Sequence, residues 1–157
     1  MHIDFVEIFS AFIVLFAVID ILGSIPIIID LKNKSGNINA LQAALVAFII
    51  LVGFLFVGEA LLGLFGVDIS SFAVAGSFVL LFLALEMILG RDIFKYDMPG
   101  GASIVPIAFP LIAGAGSFTT ILAIRAEYKL INIIIALFLN IVVVYFVLKS
   151  TKVIERV

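Results

Sequence analysis

The chain has 157 residues, a formal charge of −2 at pH 7 and no cysteine; 65% of it is hydrophobic and only 13% is charged. A soluble domain is nearer half apolar and a quarter charged, so this chain, with a mean hydropathy of +1.41, has too little polar surface to cover its apolar surface in water. Disulfides and thiolate metal sites are excluded, and the absence of any basic stripe or run argues against a nucleic-acid partner.

The first residues, Met1-His2-Ile3-Asp4-Phe5-Val6-Glu7, are acidic where a cleavable signal would be basic. The first apolar stretch is therefore read as a retained span. Spans need about 20 mostly apolar residues, and residues 39–58, 69–85, 98–124 and 130–148 carry no charge. Residues 5–31 are also strongly apolar but are interrupted by Asp20. The runs are continuous rather than alternating, which favours helices over barrel strands. Five transmembrane helices are predicted, at about 5–31, 40–65, 69–89, 102–125 and 130–149, in a single all-α membrane domain covering 1–157. Turn-rich residues 32–37 make the first link, and Gly66-Val67-Asp68 makes a tight second one, with Ser70 or Ser71 placed to cap the next helix. Residues 90–101 form the longest link, and 125–129 close the fourth span.

Five spans put Lys32, Lys34, Arg91, Lys95, Lys149, Lys152 and Arg156 on one side, against Arg125 and Lys129 on the other. The cation-rich side is normally cytoplasmic, so the amino terminus is expected outside and the carboxyl terminus inside. If Lys149 still belongs to a helix, six cations oppose two and the bias stands.

Two spans break the rules of lipid burial. A mid-membrane carboxylate costs about 2.5–3.5 kcal/mol on insertion scales, and Asp20 lies within Ile19-Asp20-Ile21-Leu22-Gly23-Ser24-Ile25-Pro26. Pro26 lacks an amide hydrogen and clashes with the carbonyl four residues back, Leu22, beside the weak helix former Gly23. A break near residues 21–25 follows, and irregular backbone at that depth is tolerated only within protein or along a wet cavity. The blander alternative is a proline kink with Asp20 as a buried acceptor.

The fourth span contains Pro106, Pro110, Gly114, Gly116, Ser117, Thr119 and Thr120. Gly114 and Gly116 allow a non-helical link, and Ser117 is placed to cap a new half-helix whose free amides and positive dipole suit a carboxylate. Packing of small residues between helices is the alternative. Two breaks, each in the first helix of a unit, suggest an inverted repeat: about 5–90, then an incomplete 102–157 without a sixth span. Glu86 and Asn140 are candidate supporting polar groups; Glu59 and Asn132 are weaker ones, and the 16 phenylalanines are read as lipid-facing or packing groups. The one histidine, His2, is terminal, and neither a His-Glu-x-x-His nor a Gly-x-Ser-x-Gly motif nor a phosphate loop occurs. No enzyme, metal, cofactor or ATP-driven pump is expected.

Residues 19–26, together with Ile107-Ala108-Phe109-Pro110-Leu111-Ile112-Ala113-Gly114-Ala115-Gly116-Ser117-Phe118-Thr119-Thr120, resemble the two signatures of the MarC, or neutral amino acid transporter, family. Residues 71–77 and 86–90 fit as well, and the likeness is closest to the form seen in Bacteroidetes-type bacteria. The resemblance implies six spans in two inverted triplets, discontinuous helices 1 and 4, and a bacterial or archaeal plasma membrane. Some members carry small neutral amino acids, with proton coupling. It maps a binding site onto Asp20, Gly23, Ser24 and Pro26 in one helix, and onto Pro110, Gly114, Gly116, Ser117, Thr119 and Thr120 in the other. Ile21 and Ala115 stand where many relatives have proline, and the sixth span is missing. The leading expectation is thus a secondary transporter of small neutral amino acids. A non-transporting membrane module or truncated fragment is the alternative, and a passive channel, lacking a charged filter ring, comes third.

Overall fold

A computed structural model describes residues 3–89 and 103–154; the 90–101 link lies outside them. Helix α1 (Phe5–Ile19) starts where the Asp4 carboxylate accepts from the amides of Val6 at 2.9 Å and Glu7 at 3.4 Å. It stops at Asp20, whose left-handed backbone (φ 44°, ψ 50°) suits aspartate better than most residues. A turn over residues 21–24 leads into α2 (Ile25–Ser35). Pro26 is the second residue of α2, where its missing amide hydrogen leaves no ladder bond unmade. The first predicted span is thus two helices, interrupted where Gly23 and Pro26 placed the break.

Helix α3 (Ala40–Leu64) is capped by the Asn39 side chain, which accepts from the Gln42 amide at 3.1 Å. It closes on a left-handed Gly66 (φ 65°), with the Val67 amide bonded to the Leu62 carbonyl at 3.0 Å and the Gly66 amide to Gly63 at 3.1 Å. Helix α4 (Ile69–Leu89) follows. Its cap corrects the expectation for Ser70 or Ser71: the Asp68 carboxylate does the capping, taking the Ser71 amide at 2.7 Å and the Ser71 hydroxyl at 2.9 Å. Asp68 stands directly before α4, where its carboxylate can accept both bonds, while Ser70 and Ser71 already lie in the first turn. Those bonds hold the Asp68 carboxyl below its usual range.

The fourth predicted span departs most from expectation. Ile104–Ile112 is wound with wide, π-type pairing and has extended backbone at Val105 and Phe109, the residues before Pro106 and Pro110. It meets α5 (Ala115–Arg125) at 42°. Helix α6 (Leu130–Ile154) runs past the predicted end at 149, so Lys149 does lie within a helix.

Among the described residues, α3 and α6 are each long and apolar enough to cross a membrane, and the bent pair formed by Ile104–Ile112 and α5 makes a third where the two pieces are taken as one span. Phe5, Val6, Phe9, Leu64 and Phe65 are exposed on this helical bundle; in lipid such surface costs nothing. The interior is lined by stripes at helical spacing: Ile8, Ala11, Leu15 and Ile19 on α1, Ala43, Ala47, Leu51 and Leu55 on α3, and Ile133, Leu137, Val144 and Leu148 on α6. The α3 alanines let its backbone come close to its neighbours.

The packing crosses the chain. Helix α1 lies chiefly on α6 and Ile104–Ile112 chiefly on α3, α5 packs about equally against α1, α3 and α4, and α3 packs on α6. The spacing of elements recurs: α2 starts at 25 and α5 at 115, α2 ends at 35 and α5 at 125, and α3 starts at 40 and α6 at 130, each time 90 residues apart. Phe48 of α3 meets Phe138 of α6, its counterpart at that spacing, edge to face at 6.2 Å.

Candidate functional site

One contact joins the helix ends that flank the two interruptions. A Cβ built on Gly116, in the first turn of α5, would come 3.1 Å from Cγ1 of Val18, two residues before Asp20. Helix α1 therefore passes the start of α5 with only a hydrogen atom's width between them, and the sequence pattern carried no signal for Val18.

At the first break Asp20 and Gly23 are exposed, and Ser24 is buried. The Asp20 carboxylate accepts the Gly23 amide at 3.2 Å, and the Ser24 hydroxyl donates to the Asp20 carbonyl at 3.0 Å. A methyl group on Gly23 would stand 2.3 Å from Asp20 Oδ2, so Gly23 is what lets the carboxylate fold over its own turn. Among the described residues Asp20 has no ion pair, and the carbonyls of Ile21 and Gly23 accept no hydrogen bond. Pro26, at the start of α2, is exposed.

At the second break Gly114 is buried and is the residue before α5, so it occupies the cap position expected of Ser117. Ser117 sits one turn inside the helix. Its hydroxyl donates to the Ile112 carbonyl at 2.6 Å and accepts the Gly114 amide at 3.4 Å, fastening the link from below. A Cβ on Gly114 would fall 2.1 Å from the Pro110 carbonyl oxygen, so only glycine fits against that half-buried proline. Thr119 and Thr120 are half-buried, and the Thr119 hydroxyl turns back to the Gly116 carbonyl at 2.9 Å. Among the described residues, the amides of Ala115, Gly116 and Ser117 donate to no backbone carbonyl, as befits a helix start. The site thus offers unpaired donors on one rod and unpaired acceptors with a carboxylate on the other.

Asn140 is buried on α6 and donates to the Phe12 carbonyl at 3.2 Å and the Ala136 carbonyl at 3.0 Å, which ties α1 to α6. The Glu86 side chain lies outside the described residues. Beside the second break is an apolar cavity of about 640 Å³, lined in part by Gly53, Phe54, Gly58, Phe72, Phe109 and Phe118. Phe118 stacks on Phe54 at 4.1 Å, and Phe72 lies 5.7 Å from Phe118. These phenylalanines come from three different helices, and no pattern within one helix marks them as neighbours.

An all-helical bundle with long apolar helices and lipid-compatible surface defines the class: an integral membrane protein. The MarC integral membrane protein family matches residues 5–157, and the chain belongs to that family. It is 31% identical to a UPF0056 membrane protein of Aquifex aeolicus over 142 residues, 82% of this chain and 66% of the relative. It is 33% identical to one from Buchnera aphidicola subsp. Schizaphis graminum, over 82% of this chain and 67% of the relative. Against the UPF0056 membrane protein YhcE of Escherichia coli the identity is 31%, over 88% of this chain and 70% of the relative. The chain thus spans about two thirds of the length of these relatives. No solved structure matches it.

Proposed function

We propose that the chain is a secondary transporter of small neutral amino acids and not an enzyme, with an alternating-access site between its two interrupted rods. The observation that carries this reading is the Val18–Gly116 contact, which sets both interruptions side by side. A zwitterion suits the chemistry there. Its carboxylate is drawn to the free amides and positive end of α5, while its ammonium group, or a coupling proton, is drawn to Asp20 and the Ile21 and Gly23 carbonyls. The rocking units are an inverted repeat. The 90-residue recurrence of helix boundaries supports it, as does the way each broken rod lies on the other unit's long helix. Phe48 against Phe138 is the contact a two-fold axis makes between counterparts. In this reading α1 with α2, α3, α4, the bent rod and α6 are five spans of a bacterial plasma membrane protein, amino terminus outside and carboxyl terminus in the cytoplasm.

The test is counterflow in proteoliposomes with a panel of labelled neutral amino acids. Asn tolerates the left-handed backbone as well as Asp does, so Asp20→Asn removes charge without strain. It is expected to stop counterflow while leaving the melting temperature in place; unchanged counterflow with its usual pH response removes Asp20 from the mechanism. A second reading, a membrane module without transport of its own, draws on the chain spanning about two thirds of its relatives' length. Absence of counterflow for the whole panel favours that module.

A further inference from the structure

The two halves of the molecule are tied at both ends by hydrogen bonds that are counterparts of each other. At one end, the amide of Lys129, just before α6, donates to Glu7 Oε2 at 3.0 Å. The buried Asn132 amide group donates to the same oxygen at 2.7 Å, and its own oxygen accepts the Asp4 amide at 3.4 Å. Arg125, donating to the Leu55 carbonyl, adds to the tie on that side. At the other end, the amide of Asn39, just before α3, donates to the hydroxyl of buried Ser103 at 2.8 Å. Asn39 and Lys129 are themselves 90 residues apart, matching the recurrence of the helices. In both cases the start of one half's long helix is fastened near the entry of the other half's broken rod.

These ties sit at opposite ends of the bundle. Lys149 of α6 lines a recess with Asn37, Asn39 and Leu41 at the start of α3. It lies nineteen residues, about 28 Å at helical rise, beyond the start of α6, where Glu7 is bound. The Phe48–Phe138 contact lies between them, eight residues from the start of each long helix. Rigid helices that turn about such a point separate at one end as they close at the other.

We propose that Glu7 with Lys129 and Asn132, and Ser103 with Asn39, are the two gates of the molecule, opened in alternation about the Phe48–Phe138 pivot. This rests on the transporter reading for its purpose but not for its test, because gate opening is read without substrate. Hydrogen exchange by mass spectrometry on the full chain in nanodiscs follows peptides holding the Lys129 and Asn39 amides. Glu7→Ala is expected to speed exchange around Lys129 by about five-fold, as loss of one ordinary hydrogen bond would, and to slow it around Asn39. Ser103→Ala is expected to do the reverse, and Ser103→Thr, which keeps the hydroxyl, to restore the wild-type pattern. The reciprocal slowing is the signature. If either alanine variant speeds exchange only at its own end, or at both ends together, the ties are structural and the gate assignment is overturned, whatever the counterflow assay finds.

Discussion

The two interruptions solve the same problem in opposite ways. At residues 20–24 the helix stops on an exposed carboxylate in a left-handed turn, and the side chain nearest Gly23 there is that of Asp20 itself. At residues 113–114 the helix stops on a buried, uncharged link with its backbone wedged against the Pro110 carbonyl and its ends fastened by Ser117. The first break is soft and negatively charged; the second is rigid and presents donors. A binding site that must recognise both ends of a zwitterion needs this asymmetry, since two identical breaks would offer the same dipole twice.

Substitutions can break the comparison, and their effects should fall in a definite order. Gly114→Ala drives a methyl into backbone, which cannot swing aside, and is expected to cost about 1–3 kcal/mol, seen as a lower melting temperature in detergent. Gly23→Ala meets only a side chain, which rotates away. Its melting temperature should hold while counterflow falls because the Asp20 carboxylate is displaced; equal destabilisation by the two alanines would erase the distinction between rigid and soft breaks. Asn140→Leu removes the tie from α6 to Phe12 and is expected to cost about 0.6 kcal/mol, a typical value for one interhelical bond in a membrane, read from the same melts. The smallest effect belongs to Asp68, away from both breaks. Its carboxyl is held low by Ser71, so its contribution to the start of α4 is complete above the ordinary carboxylate pKa. That contribution is lost as pH falls through the lowered value. Asp68→Asn should flatten this acid limb of the stability profile and, because the carboxylate's contribution is lost, lower the neutral-pH melting temperature slightly.

Much of this was legible in the residues. Pro26 and Gly23 announce an interruption because proline removes a donor and glycine a preference, and Asp20 announces it because lipid does not tolerate a stray charge. The second break was legible in place but not in form. Pro106 and Pro110 unwind the rod before the glycines do, and the cap fell to Gly114 because α5 starts at Ala115, which places Ser117 in its first turn. Asp68 rather than a serine caps α4 because the helix starts at Ile69, which puts Ser70 and Ser71 inside its first turn. The Val18–Gly116 contact, the Phe54–Phe118 stack and the Glu7–Asn132 tie join residues from distant parts of the chain. Periodicity reports which face of a helix is buried, not which helix covers it.

The central claim, that donors on one rod and acceptors on the other recognise a zwitterion, is tested most directly by ligand-induced thermal shift on the purified chain. Neutral amino acids are expected to raise the melting temperature, while their methyl esters, which lack the carboxylate, and their N-acetyl derivatives, which lack the ammonium group, leave it unmoved. A shift of equal size with the ester and the N-acetyl compound, or none with any free amino acid, would contradict the account.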